Sequence, residues 1–318
     1  MTILILISCA KRKIPDANYQ GEMRSFIINI SKYAKSTDSS FIVVPQNGAR
    51  LLTFNGNEQD LGDLDYLSAI DGQGQEDLFY GYDNDDEPTL VDDRNEILPF
   101  LDKAVEGDLP VLVTDYCFSS EKIQDSYLKN EAKNYVSFAA TDRELSEIPT
   151  EPIHNENEDS ITKLSDINNF LYLINPTPNF DSQEAFIQAL DATNYDLFII
   201  DAFYESFEPL TEANIEKLQT KPNGEKRLVL AYMSIGEAED YRYYWQSSWN
   251  KRKTKPNWLY KENSRWAGNY KVFYWIADWQ AIIYGNQEAY LDKILAAGFD
   301  GVYLDIVDAF ETYEAIKK

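Results

Sequence analysis

FDGVYLDIVDAFETYEA, residues 299–315, sets an apolar β-type run (299–305) directly before a helical pattern, with an acid, Asp305, where the strand ends. Asp308, ahead of AFETYEA, reads as the cap of that helix. Working outward, the same unit recurs along the chain. Strand candidates at 40–45 (SFIVVP), 66–71 (YLSAID), 109–115, 135–140, 170–175, 195–201, 227–234 and 270–275 alternate with helical stretches at 22–34, 93–106, 120–133, 182–192, 211–219 and 278–297. In 22–34 the residues Met23, Phe26, Ile27, Ile30 and Tyr33 recur at three- and four-residue steps, so one face is buried. Such alternation is that of a parallel α/β sheet. Eight such units close into a (β/α)8 TIM barrel of about 250 residues, which leaves one extra strand. No GxGxxG or Walker loop follows any strand, which argues against a doubly wound nucleotide-binding sheet.

Composition narrows the function. In 318 residues, 54 Asp plus Glu against 29 Lys plus Arg give a net charge of −25, a field that repels nucleic acid and anionic lipid headgroups. Acidity of this kind suits solubility outside the cell, or the steering of a cationic ligand. A single histidine, His154, leaves a Ser-His-Asp triad, an HExxH zinc site and a facial iron triad without their parts, and it reads as a solvated loop residue. Cys9 and Cys117 lack CxxC spacing, so no metal site, disulfide scaffold or cofactor is expected. No run of eighteen apolar residues occurs. Within an N-terminal segment, 1–18, Ile3 to Ile7 followed by Ser8 and Cys9 has two readings: the end of a lipoprotein signal, with Cys9 lipidated and holding the protein to a membrane, or a first strand, TILILI. Lys11 to Lys13 reads as a solvated patch. Residues 141–169, acidic and without periodicity, read as a surface linker, and 55–65 and 83–87 as loops.

Two features carry chemistry. Strands end in Asn175, Asp201, Asp305, Asp115, and Asp71 with Glu76 just beyond, and in a barrel these ends share one mouth. A glycosidase needs two such carboxylates, although capping or turn formation is the commoner use of any one of them. All six tryptophans fall between Trp245 and Trp279, interleaved with tyrosines. Aromatic faces stack on sugars and attract cations, so at least two of Trp245, Trp249, Trp258, Trp266 and Trp275 are expected to face the cleft, with Trp279 in the core.

LAYMSIGEAEDYRYYW (230–245), NWLYKENSRWAGNYKVFYW (257–275), AGFDGVYLDIVDAFE (297–311), FIVVPQNGARLL (41–52), YLSAIDGQGQEDLFYGYD (66–83) and PVLVTDYC (110–117) resemble the endo-α-1,4-polygalactosaminidase family, glycoside hydrolase family 114, and its bacterial relatives. The resemblance covers most of residues 19–140 and 169–313, in an order that differs from the family's. The family begins at the strand resembling FLYLINP, so the chain reads as one circularly permuted barrel: 19–140 holding family strands 6–8, 141–169 bridging the old termini, and 170–318 holding strands 1–5. This order makes the strands beginning near 41 and 300 parallel neighbours, takes 270–275 into the barrel, and leaves 135–140 as the spare.

The resemblance implies catalytic acids at Asp305 and Glu76, with Glu239, Asp240 and Arg242 of EAEDYR lining the mouth. Asp201, Asn47, Asp115, Trp245, Trp266 and Trp275 complete the expected substrate-binding set. Relatives carry an acid after the YW of 274–275, where this chain has Ile276. The function that the resemblance implies is that of a secreted or surface-attached, extracytoplasmic glycosidase cutting α-1,4-linked galactosamine, a cationic polysaccharide that suits an acidic enzyme. The alternatives are a non-catalytic carbohydrate-binding barrel and a hydrolase of another amino sugar or uronic acid polymer.

Overall fold

The computed structural model describes residues 14–205 and 207–317. The readings for TILILI, Cys9 and Lys11 to Lys13 lie outside the described residues. Eight strands run parallel: β1 (Ile42–Pro45), β2 (Gln73–Glu76), β3 (Val111–Tyr116), β4 (Val136–Ala140), β5 (Leu171–Leu173), β6 (Leu197–Asp201), β7 (Leu228–Ser234) and β8 (Gly301–Asp305). They form two sheets, ordered β1-β8-β7-β6-β5 and β2-β3-β4. Backbone contacts link the two sheets at two places. Gln46, just past β1, bridges Gly74 of β2 in parallel, and Asn47 donates its backbone N–H to the Gly74 carbonyl at 2.9 Å. At the other edge the Leu145 carbonyl, beyond β4, accepts from Ile174 and Asn175 beyond β5 at 3.0 and 3.2 Å. Strands such as LFIID and LVLAYMS are buried along their whole length, as parallel strands covered on both faces must be.

β1 and β8 pair in register from Ile42–Gly301 to Pro45–Leu304, although they lie at opposite ends of the chain. Helices Tyr19–Thr37 and Ala309–Lys317 lie side by side, with Gln20 Nε2 donating to Glu314 Oε1 at 3.0 Å.

Four segments depart from the expectation. YLSAID (66–71) enters a one-turn helix, Leu64–Leu67, capped by Asp63, and the strand follows at Gln73–Glu76. That strand of glutamines, glycine and glutamate carries no apolar alternation, which hid it. Asp71 consequently sits ahead of β2, away from the mouth, accepting from Val43 N at 2.8 Å and pairing with Lys35 at 2.9 Å. The 270–275 segment is not a parallel strand: Asn269–Val272 pairs antiparallel with Glu237–Glu239 and Leu259–Glu262 in a small sheet inserted after β7, and β8 pairs directly with β7. The segment expected to be spare, 135–140, is β4 and completes the second sheet. Residues 278–297 form two helices, Ala277–Ile283 and Tyr290–Ala296, broken where Gly285 turns left-handed.

Residues 141–169 do more than link. They run from the C-terminal end of β4 to the start of β5, burying Ile161, Leu164 and Ile167 and meeting the fully buried pair of Lys221 and Asp196 (2.6 Å) through Asn157 and Asn168. His154, expected in solvent, is half-buried and stacks on Tyr127 with ring centroids 3.9 Å apart, and burial lowers its pKa.

Candidate active site

Alternate residues of a strand share a face, so the last inward side chains of the parallel strands converge at their C-terminal ends. There they line a cavity of about 780 Å3. Gln46 just past β1, Glu76 at the end of β2 and Asp305 at the end of β8 meet there. The Gln46 amide nitrogen donates to Glu76 Oε2 and, at 3.3 Å, to Asp305 Oδ1. Two oxygens bonded to one nitrogen lie no more than about 7 Å apart. Glu76 also accepts from the Tyr116 hydroxyl on Oε1 and from Asn47 Nδ2 on Oε2 at 3.2 Å. Asp305 accepts from the Tyr232 hydroxyl at 2.7 Å and from the N–H of Ile306 at 2.7 Å.

The backbone fixes this arrangement. The residue after each of the three is left-handed: Asn47 (φ 60), Asp77 (φ 57) and Ile306 (φ 56). For β-branched Ile306 this is strained, by roughly 1–3 kcal/mol, and the turn aims its N–H back at Asp305. Gly236 accommodates the turn, since a Cβ there would fall 2.1 Å from the Ile306 carbonyl oxygen.

Electrostatics separates the two acids. Burial, with the charges of Asp305 and Asp77, pushes Glu76 up to about 8. Burial also raises Asp305, to about 6, against the opposing hydrogen bonds from Tyr232 and Ile306. Both acids are thus raised, Glu76 the further, so Glu76 is the one that keeps its proton to higher pH. Two carboxyls whose surroundings push their pKa values apart are suited to act as acid and nucleophile. A third, Asp308, also lines the cavity and is raised to about 7 by burial and by Asp305.

Asp201, Glu239 and Arg242 line the cavity too, as one buried ionic unit. Arg242 forks onto Asp201 at 2.8 and 2.6 Å and gives its Nε to Glu239 at 2.7 Å, while Tyr241 donates to the other Glu239 oxygen at 2.7 Å. Burial raises Asp201, and Arg242 opposes that rise.

Of the remaining expected residues, Asn47 and Trp266 line the cavity. Asp240, Asp115, Trp245 and Trp275 do not. Asp115 is fully buried on the outward side of β3, accepting from Phe79 N, Tyr80 N, Ser126 and Asn130, so it ties β3 to helix Ser120–Glu131. Asp240 is solvent-exposed in the inserted sheet, off the cavity. Trp245 packs on Tyr270 (4.8 Å) and Trp249 (5.2 Å), and Trp275 on Tyr19, Tyr274 and Tyr313 beside the outer helices. Trp249, Trp258 and Trp279 are buried in a continuous row, so the tryptophan cluster is the core of the inserted sheet. Trp266 alone of the six is at the cavity, 46% exposed; the other aromatics there are tyrosines, of which Tyr82 and Tyr241 are exposed, and the buried Phe203. Ile276 lies off the cavity at the start of helix Ala277–Ile283.

Gln46, Tyr116, Tyr232 and Arg143 escape the sequence reading. The first three share the inward parity of Glu76 and Asp305 on known strands, a signal that could have found them. Arg143 lies in the expected linker and has none. The lining holds ten carboxylates against three arginines, of which Arg143 and Arg242 are engaged by acids. Among the described residues no cluster of His, Cys, Asp and Glu is arranged to hold a metal ion, and no helix is long and apolar enough to cross a membrane.

Residues 174–317 match glycoside-hydrolase family GH114. The matched span, a little under half the chain, includes Asp201, Glu239, Arg242, Trp266 and Asp305 but not Gln46 or Glu76. An uncharacterized protein of Methanocaldococcus jannaschii is 42% identical over 158 residues, covering 49% of this chain and 41% of that protein. Another, from Deinococcus radiodurans, is 36% identical over 128 residues, 40% of this chain and 38% of that protein. A third, from Thermotoga maritima, is 46% identical over 82 residues, 26% of this chain and 24% of that protein. The chain thus spans about two fifths or less of the length of these relatives. The family match supports a glycosidase, on a mixed α/β scaffold with a parallel central sheet.

Proposed function

We propose that this chain is a glycoside hydrolase that cleaves α-1,4-linked galactosamine polymers, built on a closed, circularly permuted (β/α)8 barrel. The observation that carries the activity is the shared amide: one Gln46 nitrogen bonded to two carboxyls of unlike acidity in an open cavity. Closure is supported by the two seams where the sheets meet, and permutation by the pairing of β1 with β8 beside adjacent first and last helices. The permuted halves are then 19–140, with β1 to β4, and 170–318, with β5 to β8.

Asp305, ionised, attacks the anomeric carbon as Glu76 gives its proton to the departing glycosidic oxygen, so the C–O bond breaks and a glycosyl ester forms. Glu76, now a carboxylate, takes a proton from water, which attacks the same carbon and frees Asp305. Two inversions return the starting anomer. The separation set by the shared amide fits this retaining geometry better than the wider spacing that admits a water in one step. A galactosamine ring brings an ammonium group to a mouth rich in carboxylates, which favours it over a uronic acid. A cationic exopolysaccharide is an extracellular polymer, so an extracytoplasmic location, with Cys9 as a lipid anchor, belongs to the same proposal.

Release of reducing ends from de-N-acetylated galactosaminogalactan tests the activity; no release, with the protein folded, rejects it. In that assay kcat/KM follows a bell, falling below about pH 6 as Asp305 takes a proton and above about pH 8 as Glu76 loses one. The limbs belong to the coupled pair. A rate still rising beyond pH 9 would contradict the acid role of Glu76. Trp266→Ala weakens polymer binding by about 1–2 kcal/mol, read as a rise in KM, whereas Trp275→Ala leaves KM unchanged. Equal effects of the two would remove Trp266 as the stacking face.

A further inference from the structure

Arg143 follows β4 and reaches into the cavity wall. Its guanidinium gives two bonds to Asp77, at 3.0 and 3.2 Å, two to Asp85, at 2.6 and 2.8 Å, and one to the Gly81 carbonyl at 2.7 Å. The same group lies over Tyr116, 3.6 Å from the ring centre. Asp77 is the residue after Glu76, held left-handed, and Tyr116 is the donor to Glu76 Oε1. Gly81, itself left-handed, leaves no spare room: a Cβ there would meet Asp77, Arg143 and Tyr116 within 3.0 Å.

We propose that Arg143 is a positioning residue for Glu76, holding Tyr116 and Asp77 on either side of its carboxyl and cancelling the Asp77 charge beside it. No other cation bonds to Asp77 among the described residues. The kinetic consequence rests on Glu76 acting as the acid of the proposed hydrolase.

The groups facing Glu76 are Asp305 and Tyr303 from β8, Asp77 from its own loop, Tyr116 from β3 and Tyr172 from β5, with Gln46 and Asn47 uncharged. Arg143 is the cation in contact with two of them. Its loss exposes Glu76 to the full charge of Asp77 and frees the Tyr116 donor, and both changes favour the protonated carboxyl.

The test is a titration of Glu76 in the full chain, carrying 13C-labelled glutamate and assigned with Glu76→Gln. Arg143→Met raises the Glu76 midpoint by about one pH unit. Adding Asp77→Asn to that variant brings the midpoint back toward the wild-type value. Arg143→Lys, which keeps the charge but loses the fork and the guanidinium over the Tyr116 ring, gives a smaller rise and carries the same test if Arg143→Met does not fold. The alkaline limb of kcat/KM moves upward with the titration. An unmoved midpoint in a folded variant overturns the role, as does a loss of activity that is equal at every pH. A raised midpoint in a protein whose wild type cleaves no polymer upholds Arg143 and rejects the hydrolase.

Discussion

Asp305→Asn lowers the release of reducing ends from de-N-acetylated galactosaminogalactan by about four orders of magnitude, and Glu76→Gln by about two to four. Both substitutions keep the shape of the side chain. An asparagine at position 305 can turn its oxygen to the N–H of Ile306 and donate to the Tyr232 hydroxyl, and a glutamine at position 76 can turn its oxygen to the Gln46 and Asn47 amides and donate to the Tyr116 hydroxyl, so circular dichroism and the unfolding midpoint at neutral pH should show an intact fold. The loss is one of chemistry: an amide neither forms the glycosyl ester nor gives a proton to the leaving oxygen. Linkage adds a second signature. Glu76 has a raised pKa in the folded protein, so its contribution to stability is present at acid pH and lost as pH rises from the unfolded value toward about 8. Glu76→Gln removes that loss, and the variant should gain stability over wild type across this window, tempered by the exposure of Glu76 to the cavity. Full activity in either variant would exclude the pair.

The second large effect is on folding. Arg242→Met leaves Asp201 and Glu239 buried without their shared cation, at a cost of about 3–5 kcal/mol. Asp201, already raised by burial, loses the Arg242 charge that opposes the rise, so the deficit grows as pH rises above its unfolded value and shrinks in acid. Urea unfolding at pH 5 and pH 8 reads this directly. Asp201→Asn with Glu239→Gln in the Arg242→Met background should recover part of the loss. A variant with wild-type stability and only a raised KM would instead mean that Arg242 binds substrate as a free cation.

Sequence and structure part company at identifiable residues. Asp305 and Asp201 close long apolar runs with inward parity, and both reach the cavity. Asp115 closes a similar run one residue out of step: Tyr116 points inward to Glu76, so Asp115 must point outward to Ser126 and Asn130. A one-residue offset moves a side chain to the other face of a sheet, and apolar composition alone does not register it. Glu76 reads from the pattern only as an acid just beyond a strand ending at Asp71, and its catalytic role only through the resemblance, because QGQE is a strand held by its amides, Gln73 Nε2 bonding the carbonyls of Asn47 and Gly74. The tryptophans misled for a related reason. Their density marks an inserted sheet that needs its own core, and the hairpin that builds it carries only Trp266 to the cavity. Arg143 was illegible, since its hydrogen-bond partners lie 58 to 66 residues away in sequence.

The division of labour between the two carboxyls is tested most directly by azide rescue on a galactosaminide that the wild-type protein cleaves. Asp305→Gly with azide should form the glycosyl azide of inverted anomer, because azide enters the space left by the nucleophile on the face opposite the leaving group. The corresponding Glu76→Gly variant should yield the azide of retained anomer, by attack on the ester at Asp305. Retained product from Asp305→Gly, inverted product from Glu76→Gly, or no azide product from either would contradict Asp305 as nucleophile and Glu76 as acid.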